Sequence, residues 1–336
     1  MAGQVLTAAS HEIVQGMWLT WRAAMRHALY GEDGFYLRER PSGHFRTSVS
    51  ASAAFADAVL ALLTQVDAEL GSPDRLDLVD IGAGEGVLVA RVLDAAGPAL
   101  RARLNITAVD LSPRPDGLPE SIAWRSRIPY GITGLAIANE WLDNIPLDVA
   151  EQTADGPRLV LVETETGEER LGDPVPRTDR AWLDRWWPLG RIGSRGEIGC
   201  PRDAAWTAVL TRLSKGRAVA IDYAHPVDNR PCHGTLTGYR DGAVVAPIPD
   251  ATCDITAHVA LDACAEAGRR AGAISTGLST QRDALRALGV TGTRPPIDLA
   301  HVDPPGYLRA LARASEEGEL IDAKGLGGFG WLTQDR

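Results

Sequence analysis

The residues best suited to chemistry stand close together, with one carboxylate two positions ahead of three alternate glycines. Asp80 precedes Gly82, Gly84 and Gly86 in the stretch LDLVDIGAGEGVLVARVL. Glycine lets a chain turn sharply and lets a ligand approach the backbone, because no Cβ stands in the way. The apolar run before the turn reads as a buried strand, and the periodic VLVARVL after it reads as a helix. A helix starting near Val87 points unpaired N–H groups toward the turn. A dinucleotide fingerprint would need glycine at position 87, where valine stands. A carboxylate at this strand end repels a pyrophosphate but suits a cationic ligand with an amino group. S-adenosylmethionine is such a ligand.

A second acid, Asp110, closes the predicted strand LNITAVD. In a strand–turn–helix–strand unit an acid there can accept hydrogen bonds from ribose hydroxyls. A third acidic knot follows the apolar LAIAN in Asn139, Glu140, Asp143 and Asn144. Parallel sheets bind ligands beyond the carboxyl ends of their strands, so Asp80, Asp110 and Glu140 are expected on one rim. Asp222 ends a later strand on the same rim, where it either positions substrate or caps its loop. His258 is expected on a helix, and Asp254 and Thr256 at that helix's start.

These side chains need a scaffold. The alternation of strands (76–81, 104–110, 121–126, 135–139, 217–223 and GAIST) with helical segments (87–96, TQRDALRALG, 304–316) predicts an α/β fold of the Rossmann type. Its sheet is mostly parallel, with helices on both faces. FGWL reads as a closing edge strand. Residues 8–29 read as an amphipathic helix with Ile13, Met17, Trp18, Trp21 and Met25 on one side. An aromatic loop containing Tyr30, Phe35, Tyr36 and Phe45 follows. The next helix starts at a Ser50 or Ser52 cap and stops at Gly71. Residues 141–216 are too long for a simple crossover. They are expected to form an inserted cap with a hairpin in LVLVETETGEERL and helices at 179–187 and 202–214. The predicted parts are thus an N-terminal helical extension (1–72), a core with its insertion (73–290) and a C-terminal helix and strand of the same core (291–336).

Composition narrows the classes. The chain has 336 residues, 45% hydrophobic and 23% charged, with net charge −10. That charge disfavours nucleic acid as a partner. Cys200, Cys232, Cys253 and Cys264 show no metal-ligand spacing and read as reduced thiols without a zinc site. No apolar run is long enough to span a bilayer, and MAGQVLTAASHEIVQG lacks the charged start and apolar core of a signal peptide. A soluble cytoplasmic protein is expected, without membrane insertion, and a homodimer is among the states open to it.

Several blocks in order, ALYGEDGFY, HFRTS, DIGAGEGVL, ANEWLDNIP, IDYA, GTLTGY, CDITAHV and TQRDALRALG, resemble the MidA-like family of S-adenosylmethionine-dependent methyltransferases. The family's mitochondrial members are complex I assembly factors that dimethylate an arginine symmetrically. The resemblance implies a class I methyltransferase fold and S-adenosyl-L-methionine as cofactor, with Asp80, Gly82, Gly84 and Asp110 at the cofactor; Gly86 completes the turn. It places Asn139, Glu140 and Asp143 in the family's NE-x-x-D block at the active rim. Because a guanidinium is cationic at any working pH, Glu140 and Asp143 are expected to clamp it. A protein substrate, such as a respiratory complex subunit, is the implied partner. The sequence departs from the family at His44, where an acid is usual, and at Ala224, where glycine is usual. The alternatives are a non-catalytic cofactor-binding assembly factor and a small-molecule methyltransferase.

Overall fold

A computed structural model describes residues 16–38 and 53–336. Ile13, His44, Phe45 and the proposed caps Ser50 and Ser52 lie outside the described residues. The chain divides into two compact units. One comprises Met1–Phe45, Asp143–Ala204 and His225–Ala263; the other comprises Arg46–Leu142, Ala205–Ala224 and Cys264–Arg336. These boundaries differ from the expected three stretches. Residues 143–204 of the expected insertion share a unit with residues 1–45 and 225–263, whereas residues 46–72, 205–216 and the C-terminal stretch belong to the sheet unit.

The larger unit is built on seven strands. In chain order they are β1 (Leu76–Ile81), β2 (Leu104–Val109), β3 (Ile122–Arg125), β4 (Ile132–Asn139), β5 (Leu213–Asp222), β6 (Ser275–Thr280) and β7 (Gly330–Asp335). They are arranged in the order β6-β7-β5-β4-β1-β2-β3. The five strands from β5 to β3 are mutually parallel. β7 runs antiparallel to both neighbours. The α/β class and the mostly parallel sheet are as expected. FGWL is not at the edge, however: β7 lies between β5 and β6, and β6 is the edge strand.

The strand direction of growth reverses between β1 and β4, which opens a crevice at their carboxyl ends. All six residues of β1 are buried, as a central strand covered on both faces requires. Its internal acid Asp77 is satisfied by Asn105 Nδ2 at 2.8 Å and the Thr133 backbone N–H at 2.9 Å. Helices α1 (Ala53–Glu69) and α2 (Val87–Ala95) supply Phe55, Val59, Leu63, Leu88 and Val92 to the core over the sheet. Helices α3 (Gln281–Ala287) and α4 (Pro304–Leu320) follow where TQRDALRALG and 304–316 were expected.

The second unit holds a five-stranded antiparallel sheet made of Trp18–Thr20, Asp148–Thr153, Gly156–Glu163, Glu169–Pro174 and Arg195–Ile198. The expected hairpin is its Gly156–Glu163 and Glu169–Pro174 pair. Thr237–Arg240, Ala243–Val245 and Asp254–Thr256 form a separate three-stranded sheet. Two helix predictions change here. Of 8–29, residues 8–15 lie outside the described residues; in the rest a strand at Trp18–Thr20 precedes a helix at Trp21–Tyr30, which Thr20 caps by accepting the Ala23 N–H. The helix expected over 254–271 begins only at Leu261, because Asp254–Thr256 pairs with Thr237–Tyr239. Strand pairing there outweighs the local capping signal. Among the described residues no helix is long and apolar enough to cross a membrane.

Candidate functional site

The crevice between β1 and β4 is lined from three strand ends. Gly82, Gly84 and Gly86 all sit in the left-handed region, at φ 73°, 56° and 71°. Gly82 also has a packing reason, since a Cβ there would meet Trp141 Cδ1 at 2.8 Å. Gly86 starts α2, and its Cβ would lie 2.9 Å from Leu118 Cδ1. Gly84 differs: nothing among the described residues lies within 4 Å of its Cβ position, which leaves this face of the turn to a ligand.

The turn is stitched to the end of β2. Gly82 and Ala83 donate their N–H groups to the Val109 carbonyl at 2.9 and 3.1 Å. Asp110 accepts the Gly84 N–H through Oδ2 and the Ser112 N–H through Oδ1, both at 2.8 Å. Each carboxylate oxygen can accept a further bond, so Asp110 can hold the turn and still receive a hydroxyl. Asp80 is buried at 4% exposure. Burial, and then the like charge of Asp110, push its carboxyl up to about 7. A buried carboxylate raised in this way is one that a bound cation would restore to its ionised form.

At the end of β4, Asn139 is 7% exposed and donates its Nδ2 to Glu140 Oε1 at 3.0 Å. Its Oδ1 is buried without a partner among the described residues. An orphaned buried acceptor in a ligand crevice fits an N–H or O–H donor on the ligand. Glu140 has φ 49°, uncommon for a non-glycine residue, and its N–H donates to the Ile221 carbonyl at 2.8 Å. Asp222 accepts the Leu142 N–H at 2.9 Å and the Tyr223 N–H at 3.0 Å, which ties the loop after β4 to the end of β5.

Asp143 belongs to the other unit, in a polar cluster that sequence reasoning missed. It is 5% exposed, accepts the Thr256 hydroxyl at 2.7 Å, and burial raises its carboxyl above the usual range. Nearby, Asp254 accepts the Tyr36 hydroxyl at 2.7 Å and Asn144 Nδ2 at 3.1 Å, and burial pushes it up to about 7. Asp254 and Thr256 are thus buried strand residues rather than helix-start residues. The polar residues of ANEWLDNIP and CDITAHV were visible in the chain, but nothing in it said which would meet. His258 likewise precedes the helix rather than sitting on it. Its ring lies 5.7 Å from that of His225.

The structure thus brings Asp80, the three glycines, Asp110, Asn139 and Glu140 to the carboxyl rim of one sheet. These residues fit a ligand with a cationic amino group, a ribose and further hydrogen-bond donors. No curated protein sequence matches the chain. It is similar to a COG1565 superfamily protein of Burkholderia thailandensis bound to S-adenosyl-homocysteine. The two share 27% identity with a TM-score of 0.80, over 96% of this chain and 88% of the other. The native structure of a COG1565 protein from the same organism gives 27% identity and a TM-score of 0.78 over the same shares. Residues 58–279 match the family Methyltransf_28, described by its S-adenosyl-L-methionine-dependent methyltransferase activity. That match covers well over half of the chain, which therefore belongs to this family of S-adenosyl-L-methionine-dependent methyltransferases.

Proposed function

We propose that the chain transfers methyl groups from S-adenosyl-L-methionine to an arginine of a protein, with the end of β4 as the acceptor side. The observation that carries this reading is the Asn139–Glu140 pair: a carboxylate that accepts the Asn139 amide nitrogen, beside an amide oxygen that lacks a donor among the described residues. Both offer acceptors, which suits a cationic acceptor bearing several N–H groups. The order of blocks shared with MidA-like proteins supports the same substrate class.

The bound cofactor supplies an electrophilic methyl on a sulfonium. Asp80 would hold its cationic amino-acid end, the glycine turn would let it approach the backbone closely, and Asp110 would receive its ribose. Glu140 and Asn139 orient the acceptor nitrogen, since holding reacting atoms at about 3 Å does most of the work in such a displacement. Asp143, buried and bonded through Oδ2 to the Thr256 hydroxyl, is assigned to anchoring the chain beyond the acceptor pair rather than to a clamp. The substrate is then a protein of the same compartment, the cytoplasm, with a respiratory complex subunit as the first to examine. Comparing the proteomes of a deletion strain and its parent by mass spectrometry tests this. A methyl-arginine lost on deletion is expected; a deletion strain with every methyl-arginine intact would overturn the arginine reading.

A further inference from the structure

The unit that contains the insertion holds a cavity of about 260 Å³ that no step of methyl transfer uses. Its wall includes two carboxylates, Glu169 and Glu197, and one guanidinium, Arg195. Arg195 is committed: it donates to Glu169 at 2.8 Å and lies 3.9 Å from a Glu151 carboxylate oxygen. Trp21 also donates its indole N–H to Glu169, at 2.8 Å. Glu169 is therefore neutralised in place.

Glu197 is not. It is 2% exposed and accepts only neutral donors, the Thr235 hydroxyl and the Leu236 N–H at 2.8 Å each and the Thr235 N–H. Among the described residues no cationic side chain hydrogen-bonds it. The guanidinium of Arg202, which bears on it electrostatically, is directed to the carbonyls of Ala257 and His258. A buried carboxylate with no cation hydrogen-bonded to it is costly, and it sits here in the wall of a cavity with room for about eight waters. Val149, Leu236 and Ile248 give the cavity an apolar wall that suits an aliphatic stem, the Trp21 indole adds an aromatic surface, and Thr166 and His233 add polar groups to the lining.

We infer that this cavity is a binding site for an organic cation, a guanidinium or ammonium head on a short aliphatic stem, with Glu197 as its counter-charge. The head is carried either by a free small molecule or by a basic side chain of a peptide. The site stands apart from the methyl-transfer reading and survives its failure.

The test titrates the full chain calorimetrically with agmatine, with n-butylamine, with butyrate as the anionic control, and with a short arginine-containing peptide. Saturable binding of at least one cation and none of butyrate is expected. Glu197→Gln keeps the shape and removes the charge, and should weaken cation binding at least tenfold. Ala246→Trp, at an exposed position in the wall, should block entry while leaving S-adenosyl-homocysteine affinity unchanged. It serves as the test if Glu197→Gln does not fold. Peptide binding without agmatine binding would assign the head to a polypeptide, and the reverse to a free molecule. No saturable cation binding, equal binding of butyrate, or undiminished cation binding in Ala246→Trp would each overturn the inference.

Discussion

Asp110 reaches from the end of β2 to accept the Gly84 backbone N–H at 2.8 Å, tying the cofactor turn to the neighbouring strand. One carboxylate thereby serves two purposes, holding the turn in its left-handed conformation and presenting free acceptor capacity on the same rim. Asp110→Ala removes both. Charge-assisted hydrogen bonds contribute about 1.5–3 kcal/mol each, so S-adenosyl-homocysteine affinity should fall about ten- to a hundredfold, read by calorimetry. A cooperative melting transition should persist, because the core over the sheet does not depend on this side chain.

Cofactor binding should depend on pH through Asp80. Its carboxyl is raised from 3.8 to about 7 in the folded chain, so the folded, ligand-free protein retains a proton that the unfolded chain releases. The stability contributed by this group is full below the unfolded value and is lost as pH rises through about 7. A cationic ligand needs the ionised carboxylate and must displace that proton at lower pH. Affinity should therefore decline below about pH 7, approaching tenfold per pH unit. Asp80→Asn should bind weakly and show a flat profile over the same range. Titrations between about pH 5.5 and 8 read both.

The three glycines should not respond alike. Gly82→Ala meets Trp141 at 2.8 Å and adopts φ 73°, so strain and overlap combine. A loss of about 2–4 kcal/mol of stability is expected, together with lost cofactor binding. Gly84→Ala adopts φ 56° in open space, and about 1 kcal/mol is expected. Its larger effect should be on affinity, because the added methyl occupies the ligand's approach. Denaturant unfolding alongside calorimetry separates the two.

How far the sequence disclosed this arrangement depends on the range of the forces involved. The β1 turn was legible because glycine spacing and a continuous apolar strand are local signals, and β1, α2, β2 and β4 stand where the pattern put them. The position of β7 was not legible. Its insertion between β5 and β6 is a long-range choice that FGWL does not encode. Asp254–Thr256 carried a helix-start signal, yet it pairs as a strand with Thr237–Tyr239 and buries its polar groups against Asp143, Asn144 and Tyr36. Asp143 matched the expected clamp by spacing alone. In the fold its Oδ2 accepts the Thr256 hydroxyl, a partner the chain alone did not name.

We propose that Glu140 and Asn139 orient a nitrogen acceptor at the end of β4. It is tested most directly by Glu140→Gln, which keeps the shape and removes the charge. Methyl transfer to the methyl-arginine protein identified by proteomics should fall about a hundredfold or more, since orientation and charge stabilisation are lost together. S-adenosyl-homocysteine affinity, measured on the same preparation, should stay within about twofold of wild type. Unchanged transfer by Glu140→Gln at unchanged cofactor affinity would contradict the account and move the acceptor site away from β4.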